Sequence, residues 1–117
     1  MAPPKVIAVD FDGVIHSFTS GWQGALLARD PIVPGIKEVI AELRQDYQVI
    51  VMSSRCLHPG GIKTIEKYLR KYGITVDGIT GEKIPALVYL DDRAITFRQT
   101  EGIVAQIRQF EPWHRGW

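Results

Sequence analysis

Cysteine is nearly missing from this sequence: Cys56 stands alone among 117 residues. A single thiol closes no internal disulfide, which excludes the stapled secreted scaffolds and makes a reducing compartment the expected one. Long apolar runs are missing too. No stretch approaches the ~18 residues of a membrane-spanning helix. The opening MAPPKVIAVD breaks its short apolar run with an aspartate instead of building a signal peptide. A cytoplasmic protein with no membrane partner is therefore expected. Excess charge of one sign is absent as well. Fourteen Lys and Arg face 13 Asp and Glu, a formal net charge of +1, so no general basic coat for nucleic acid is present. His16 and His58 fall in no zinc-ligand spacing and form no thiol-nucleophile constellation with Cys56. The one lysine-containing glycine pair, GGIKT at 60–64, has isoleucine where a P-loop needs glycine, and no dinucleotide fingerprint occurs.

What is present is enough apolar material, 45% of the chain, to build the core of a single domain over 1–117. Lys5–Asp10 is a short, β-branched apolar run, the pattern of a strand buried on both faces of a parallel sheet. Tyr47–Met52 and Ala86–Leu90 read as buried strands in the same way. Residues 16–31 hold Gly21 and Gly24, show no clean period, and read as a flap with a helical turn near Ala25–Ala28. Pro34 is expected to open a helix whose stripe is Ile36, Val39, Ile40 and Leu43. Pro59 suits the first turn of a second helix, with Ile62, Ile65, Leu69 and Tyr72 on one face and Gly73 as its stop. Residues 74–81 read as a turn and a short strand. Thr100 is placed to cap a last helix with Ile103, Val104, Ile107 and Phe110 as its apolar face. Pro112 stops that helix, and the tail is expected to fold back, with Trp113 and Trp117 in packing roles. Alternating strands and helices predict an α/β domain with a mostly parallel sheet flanked by helices.

In such sheets the site lies beyond the carboxyl ends of the strands. The first strand ends in Asp10 and Asp12, the second in Ser53, Ser54 and Arg55, and the last in Asp91, Asp92 and Arg93, with Lys83 in the loop before it. Four carboxylates at one rim repel unless a cation relieves them, and hard oxygen ligands favour magnesium. In an extended stretch Asp10 and Asp12 point to one side and Phe11 to the other. One carboxylate can then attack phosphorus while the other exchanges a proton with the leaving oxygen and with water. Lys83 and magnesium would offset phosphate charge, and the Ser53 hydroxyl would hold a phosphoryl oxygen. Gly13 lets backbone amides come close to that oxygen.

These residues resemble the four motifs of the haloacid dehalogenase (HAD) superfamily: DFDG at 10–13, Ser53 after VIVM, Lys83 in GEKIPA, and Asp91–Asp92 after VYL. The likeness covers residues 5 to 98 in the family's order. It implies a three-layer, Rossmann-like fold and a magnesium-dependent phosphatase, with Asp10 as the nucleophile that becomes an aspartyl-phosphate and Asp12 as general acid/base. Asp10, the Asp12 backbone carbonyl and Asp91 would bind Mg2+, with Asp92 supporting. The stretch 14–33 is too short for a full cap domain, so either the site is open to large substrates, such as a nucleic-acid end or a phosphoprotein, or the flap around Trp22 or a partner subunit closes over a small one. The substrate is then a phosphorylated nucleotide, nucleic-acid end or sugar phosphate.

Around that core, Gly13, Ser54, Arg55, His16 and Trp22 are candidate substrate contacts. Arg55 serves equally well as the partner of an acid, and Trp22 as a platform or as a flap anchor. Lys63, on the second helix, is the alternative to Lys83, and Arg93 is expected to be structural. A receiver-like phospho-accepting domain is the competing reading, along with a partner-dependent module. Receivers carry their phosphorylated aspartate on a middle strand, however, where this chain has serines.

Overall fold

The computed structural model describes residues 5–114. Four strands, β1 (Val6–Val9), β2 (Gln48–Met52), β3 (Gly78–Thr80) and β4 (Val88–Leu90), form one sheet in the order β3-β2-β1-β4. Every pairing is parallel. The helices are α1 (Ile36–Leu43), α2 (Gly61–Tyr72) and α3 (Ile103–Arg108), and a 3-10 turn, Ser54–Leu57, follows β2. This is the expected Rossmann-like α/β arrangement. Among the described residues no helix is long and apolar enough to cross a membrane.

The register places Ile7 beside Val49 and Val9 beside Val51, so these four side chains share one sheet face. They join Ile36 and Ile40 of α1 and Ile65, Tyr68 and Leu69 of α2 in one buried cluster. The two prolines stand just outside their helices. In each Pro-Gly pair, Gly35 and Gly60 take left-handed φ values of 84° and 80° and form the N-caps, a turn that β-carbon-bearing residues resist. Asp77 ties the other end of the sheet together. Its carboxylate accepts the Val49 N–H at 2.8 Å and two bonds from the Arg44 guanidinium at 2.9 and 3.2 Å.

Two expectations fail at the far edge. Ala86–Leu90 is not a buried strand: only Val88–Leu90 pairs, and these residues are 38 to 48% exposed. β4 is an edge strand, and α3, six residues long, buries none of its side chains. Thr100 does not cap α3 either. The N-cap is Gly102, and Thr100 contributes only its carbonyl to the Ile103 N–H. Trp117 lies outside the described residues.

The contrast between the two apolar stripes is measurable. Ile65→Ala, at a fully buried site, should lower unfolding free energy by about 2–5 kcal/mol. Ile107→Ala, at a site 58% exposed, should stay within about 0.5 kcal/mol of wild type. Urea denaturation of the two variants checks both values.

Candidate active site

β1 delivers the first acids. The Asp10 N–H continues the ladder to the Leu90 carbonyl, and Phe11 turns inward, fully buried, edge-on to Tyr68 at 5.1 Å. The Phe11 carbonyl then gathers the N–H groups of Val14, Ile15 and His16 into a tight turn. Gly13, at φ 88°, sits where a β-carbon would overlap the Asp92 carboxylate and the His114 ring. Both its torsion and its surroundings require glycine.

Asp12 is held from two sides. Arg55 donates through Nε to Oδ2 at 2.8 Å and through Nη2 to Oδ1 at 3.0 Å. Its Nη1 donates to the carbonyls of Gly24, Ala25 and Leu27 at 3.2, 3.1 and 2.8 Å. The guanidinium is fully buried, and it fastens the flap to Asp12. The His16 Nε2 accepts the Asp30 N–H at 3.1 Å, so the ring proton lies on Nδ1 and is donated to Asp12 Oδ1 at 2.8 Å. Burial alone would raise the Asp12 pKa. The His16 and Arg55 hydrogen bonds, with Arg55's charge, outweigh it and hold the carboxyl below the usual range. Asp30 in turn accepts the Ser20 N–H at 2.8 Å and hydroxyl at 2.6 Å, which anchors the flap's far end.

The other carboxylates converge on one another, with Asp10 Oδ1 accepting the Phe11 N–H at 2.9 Å, Asp91 Oδ1 accepting the Arg93 N–H at 2.8 Å, and the Arg93 Nε 3.8 Å from Asp92 Oδ2. One ligand oxygen from each of Asp10, Asp91 and Asp92 lies within 4.8 Å of the others. The pKa of Asp10 is pushed up to about 9, first by burial, then by its side-chain hydrogen bond with Asp92 and by the charges of Asp91 and Asp92. The Asp92 side chain is 1% exposed, and its Oδ1 meets no hydrogen-bond donor among the described residues. A buried carboxylate oxygen without a donor is costly, and three hard oxygens around one point suit a divalent cation of the magnesium class. The Asp12 carboxylate is committed to Arg55 and His16, so the side chains that gather for a cation are Asp10, Asp91 and Asp92.

A cavity of about 1040 Å³ opens over this rim. The strand ends supply Asp10, Asp12, Ser53, Ser54 and Asp91, the loop before β4 supplies Lys83, and Arg93 lines it too. Ser53 is 4% exposed. Its Oγ accepts the Arg55 N–H at 3.2 Å, leaving the hydroxyl proton to donate. The Lys83 ammonium lies 5.2 Å from the Tyr89 ring, whereas Lys63 sits on α2 outside the cavity lining. Trp22, from the flap, lines the cavity and is 49% exposed. His16 and Arg55 are buried on Asp12. They position an acid and do not face the cavity.

Two residues were missed as part of the site. The Trp113 indole N–H donates to the Gly13 carbonyl at 2.6 Å, and the buried His114 ring hydrogen-bonds Asp92 through Nε2. The tail thus grips both the glycine of the first turn and an acid of the third cluster. The signal in the sequence was a histidine and a tryptophan together beyond a helix-stopping proline, in a chain with few of either. No spacing links them to Gly13 or Asp92.

The fold and rim define a parallel α/β domain with a carboxylate-lined cleft at its strand ends. No protein-family model matches the sequence, and no curated protein matches it. Two solved structures share the fold. A chain in "Structure of Pnkp1/Rnl/Hen1 complex" superposes with a TM-score of 0.58 at 20% identity, over 97% of this chain and 37% of that one. A chain in "Structure of the Pnkp1/Rnl/Hen1 RNA repair complex" gives a TM-score of 0.51 at 24% identity, over 88% of this chain and 30% of that one. The present chain therefore spans about a third of the chains it resembles.

Two outcomes follow from this geometry. Without divalent metal, native Asp10 keeps a proton to about pH 9 that the unfolded chain releases above its ordinary 3.8. Stability should therefore fall as pH rises between those values, and Asp10→Asn should flatten the decline. Asp12 has the opposite shift. Its contribution is complete above about pH 4 and is lost only at lower pH, so it adds no slope in this window. Denaturation in chelator at pH 5.5, 7 and 8.5 reads the effect, and equal stability at all three would contradict it. Trp113→Phe retains an aromatic ring but removes the indole N–H and part of the ring, and should cost about 1 kcal/mol, read by urea denaturation.

Proposed function

We propose that this chain is a HAD-type phosphomonoester hydrolase that works through an aspartyl-phosphate on Asp10. The observation that carries the reading is the meeting, in one cavity, of Asp10, Ser53, Lys83 and Asp91, with a carboxylate oxygen of the buried Asp92 within 4.8 Å of those of Asp10 and Asp91. These groups come from four separate stretches of chain, and together they match what phosphoryl transfer needs.

An Asp10 oxygen attacks phosphorus, the ester P–O bond breaks, and the alcohol departs with a proton from Asp12. Water then attacks the aspartyl-phosphate, gives its proton to Asp12, and releases inorganic phosphate with the Asp10 carboxylate restored. Ser53 and Lys83 hold the phosphoryl oxygens through both steps. Asp10, Asp91 and Asp92 would hold a magnesium ion, which would supply positive charge to keep Asp10 ionised and to offset that of the phosphate. The clamp of Arg55 and His16 favours ionised Asp12, the form the second step uses. The first step asks the same carboxyl for a proton, and this demand is weakest for an aryl phosphate, whose leaving oxygen departs unprotonated.

The substrate we favour is a phosphorylated nucleic-acid end. Among the described residues no cap domain covers the site, and one neighbour belongs to a complex described as RNA repair. A partner-dependent form of the same reading has its own support in the exposed Val88, Leu90, Val104 and Ile107.

Phosphate release from an aryl phosphate should require magnesium and vanish in Asp10→Asn, by at least about a thousandfold. Asp12→Asn should still accept phosphate from the same substrate and accumulate it as an acid-stable, hydroxylamine-labile protein adduct. Undiminished release in Asp10→Asn would remove the nucleophile from the proposal.

A further inference from the structure

The proposed chemistry uses one part of the cavity and leaves another unexplained. Trp22 and Leu57 line it and are 49% and 71% exposed, large apolar groups beside a cluster of charges. Trp22 is not loose. The Arg55 guanidinium carbon lies 5.0 Å from its ring centroid, and that guanidinium is itself fixed by Asp12 and three flap carbonyls. A cation on the ring face contributes roughly 0.5–2 kcal/mol and holds the plane in place. The His58 ring stands 6.0 Å away and tilted by 46°, so it forms neither a parallel stack nor an edge-to-face contact with Trp22. The indole is thus a supported plane with much of its surface open to the cavity.

A phosphate fills little of about 1040 Å³, so the rest of the substrate lies in the remaining space. Thr19, Ser20 and His58 line that space with hydrogen-bonding groups, and Trp22 and Leu57 add an aromatic plane and an aliphatic side chain, a mixture that suits a flat ring with polar edges. A flat, aromatic, polar-edged group tethered to a phosphate is a nucleobase. We infer that Trp22 is the stacking platform for the terminal base of a single-stranded nucleic-acid end whose phosphate sits at Asp10. The inference rests on the hydrolase reading and names the substrate of the same site. A base stacked on the indole must leave its neighbours, so a single strand binds at no unpairing cost and a blunt duplex does not. Stacking uses the π-face that all bases have, so the platform tolerates any terminal base.

Binding tests this without turnover. Short oligonucleotides with a 3′- or 5′-phosphate and a fluorophore at the other end are titrated with wild type, Trp22→Ala and Trp22→Phe in chelator, and anisotropy is followed. Trp22→Ala should weaken single-strand binding about tenfold or more, and Trp22→Phe should recover most of it. Thermal unfolding confirms that both variants are folded, and the phenylalanine variant separates stacking from a general disturbance of the flap. The matching blunt duplex should bind more weakly than the strand, and a 3′- or 5′-mononucleotide should compete less well than the strand. Affinity indifferent to Trp22, or equal for duplex and strand, would overturn the inference. A mononucleotide competing as well as the strand would overturn the strand end and reassign the platform to free nucleotides. Phosphate release combined with Trp22-independent binding sinks this inference alone, whereas Trp22-dependent binding without release sinks the hydrolase reading alone.

Discussion

The buried charge pair between Arg55 and Asp12 is the constraint on which the rim of this protein depends. A guanidinium with no exposed surface is tolerated only when its donors are satisfied, and Arg55 spends them on one carboxylate and three flap carbonyls. Removing one partner of such a pair costs about 3–5 kcal/mol, because the other is left buried and charged. That one side chain fixes the acid after β1, the turn after β2 and the path of the flap together. It also lies against the ring of Trp22, so the order of the acid reaches the wall of the cavity.

The second group of acids is built on the opposite principle. Asp12 is saturated with donors, whereas burial and the neighbouring Asp91 and Asp92 carboxylates push the pKa of Asp10 up, and one Asp92 oxygen meets no donor among the described residues. The tail completes the contrast. His114 supports the other Asp92 oxygen, and Trp113 pins the Gly13 carbonyl beside it. Two aspartates a single residue apart thus have opposite electrostatic fates: one is held ionised, the other is left to a proton or a cation.

The sheet, its parallel sense and the gathering of Asp10, Asp12, Ser53, Lys83 and Asp91 at one rim were legible in the sequence. Strand ends carry the chemistry in this fold class, and the apolar runs that end in those residues are short and unambiguous. Ile36, Ile40, Ile65 and Leu69 were legible for the same reason, since a helical stripe facing a sheet has one place to go. The edge was not legible. Val88–Leu90 reads like β1, but burial of an apolar run depends on what covers it, and α3 leaves its own stripe exposed. The roles of Arg55 and His16 were also hidden, because whether a polar side chain faces a cavity or turns back onto an acid is decided by tertiary geometry. Trp113 reaches Gly13 across 100 positions and His114 reaches Asp92 across 22, and no local pattern encodes either contact.

The central claim is that the three clustered carboxylates hold a divalent cation beside an Asp10 oxygen that bonds to phosphorus. A crystal structure of the protein grown with magnesium and beryllium fluoride, which mimics a phosphoryl group on a carboxylate, tests it most directly. The account predicts a beryllium–oxygen bond on Asp10, a cation among Asp10, Asp91 and Asp92, and Asp12 still gripped by Arg55 and His16. A cation bound elsewhere, or an Asp10 carboxylate left unmodified with the cation in place, would contradict it.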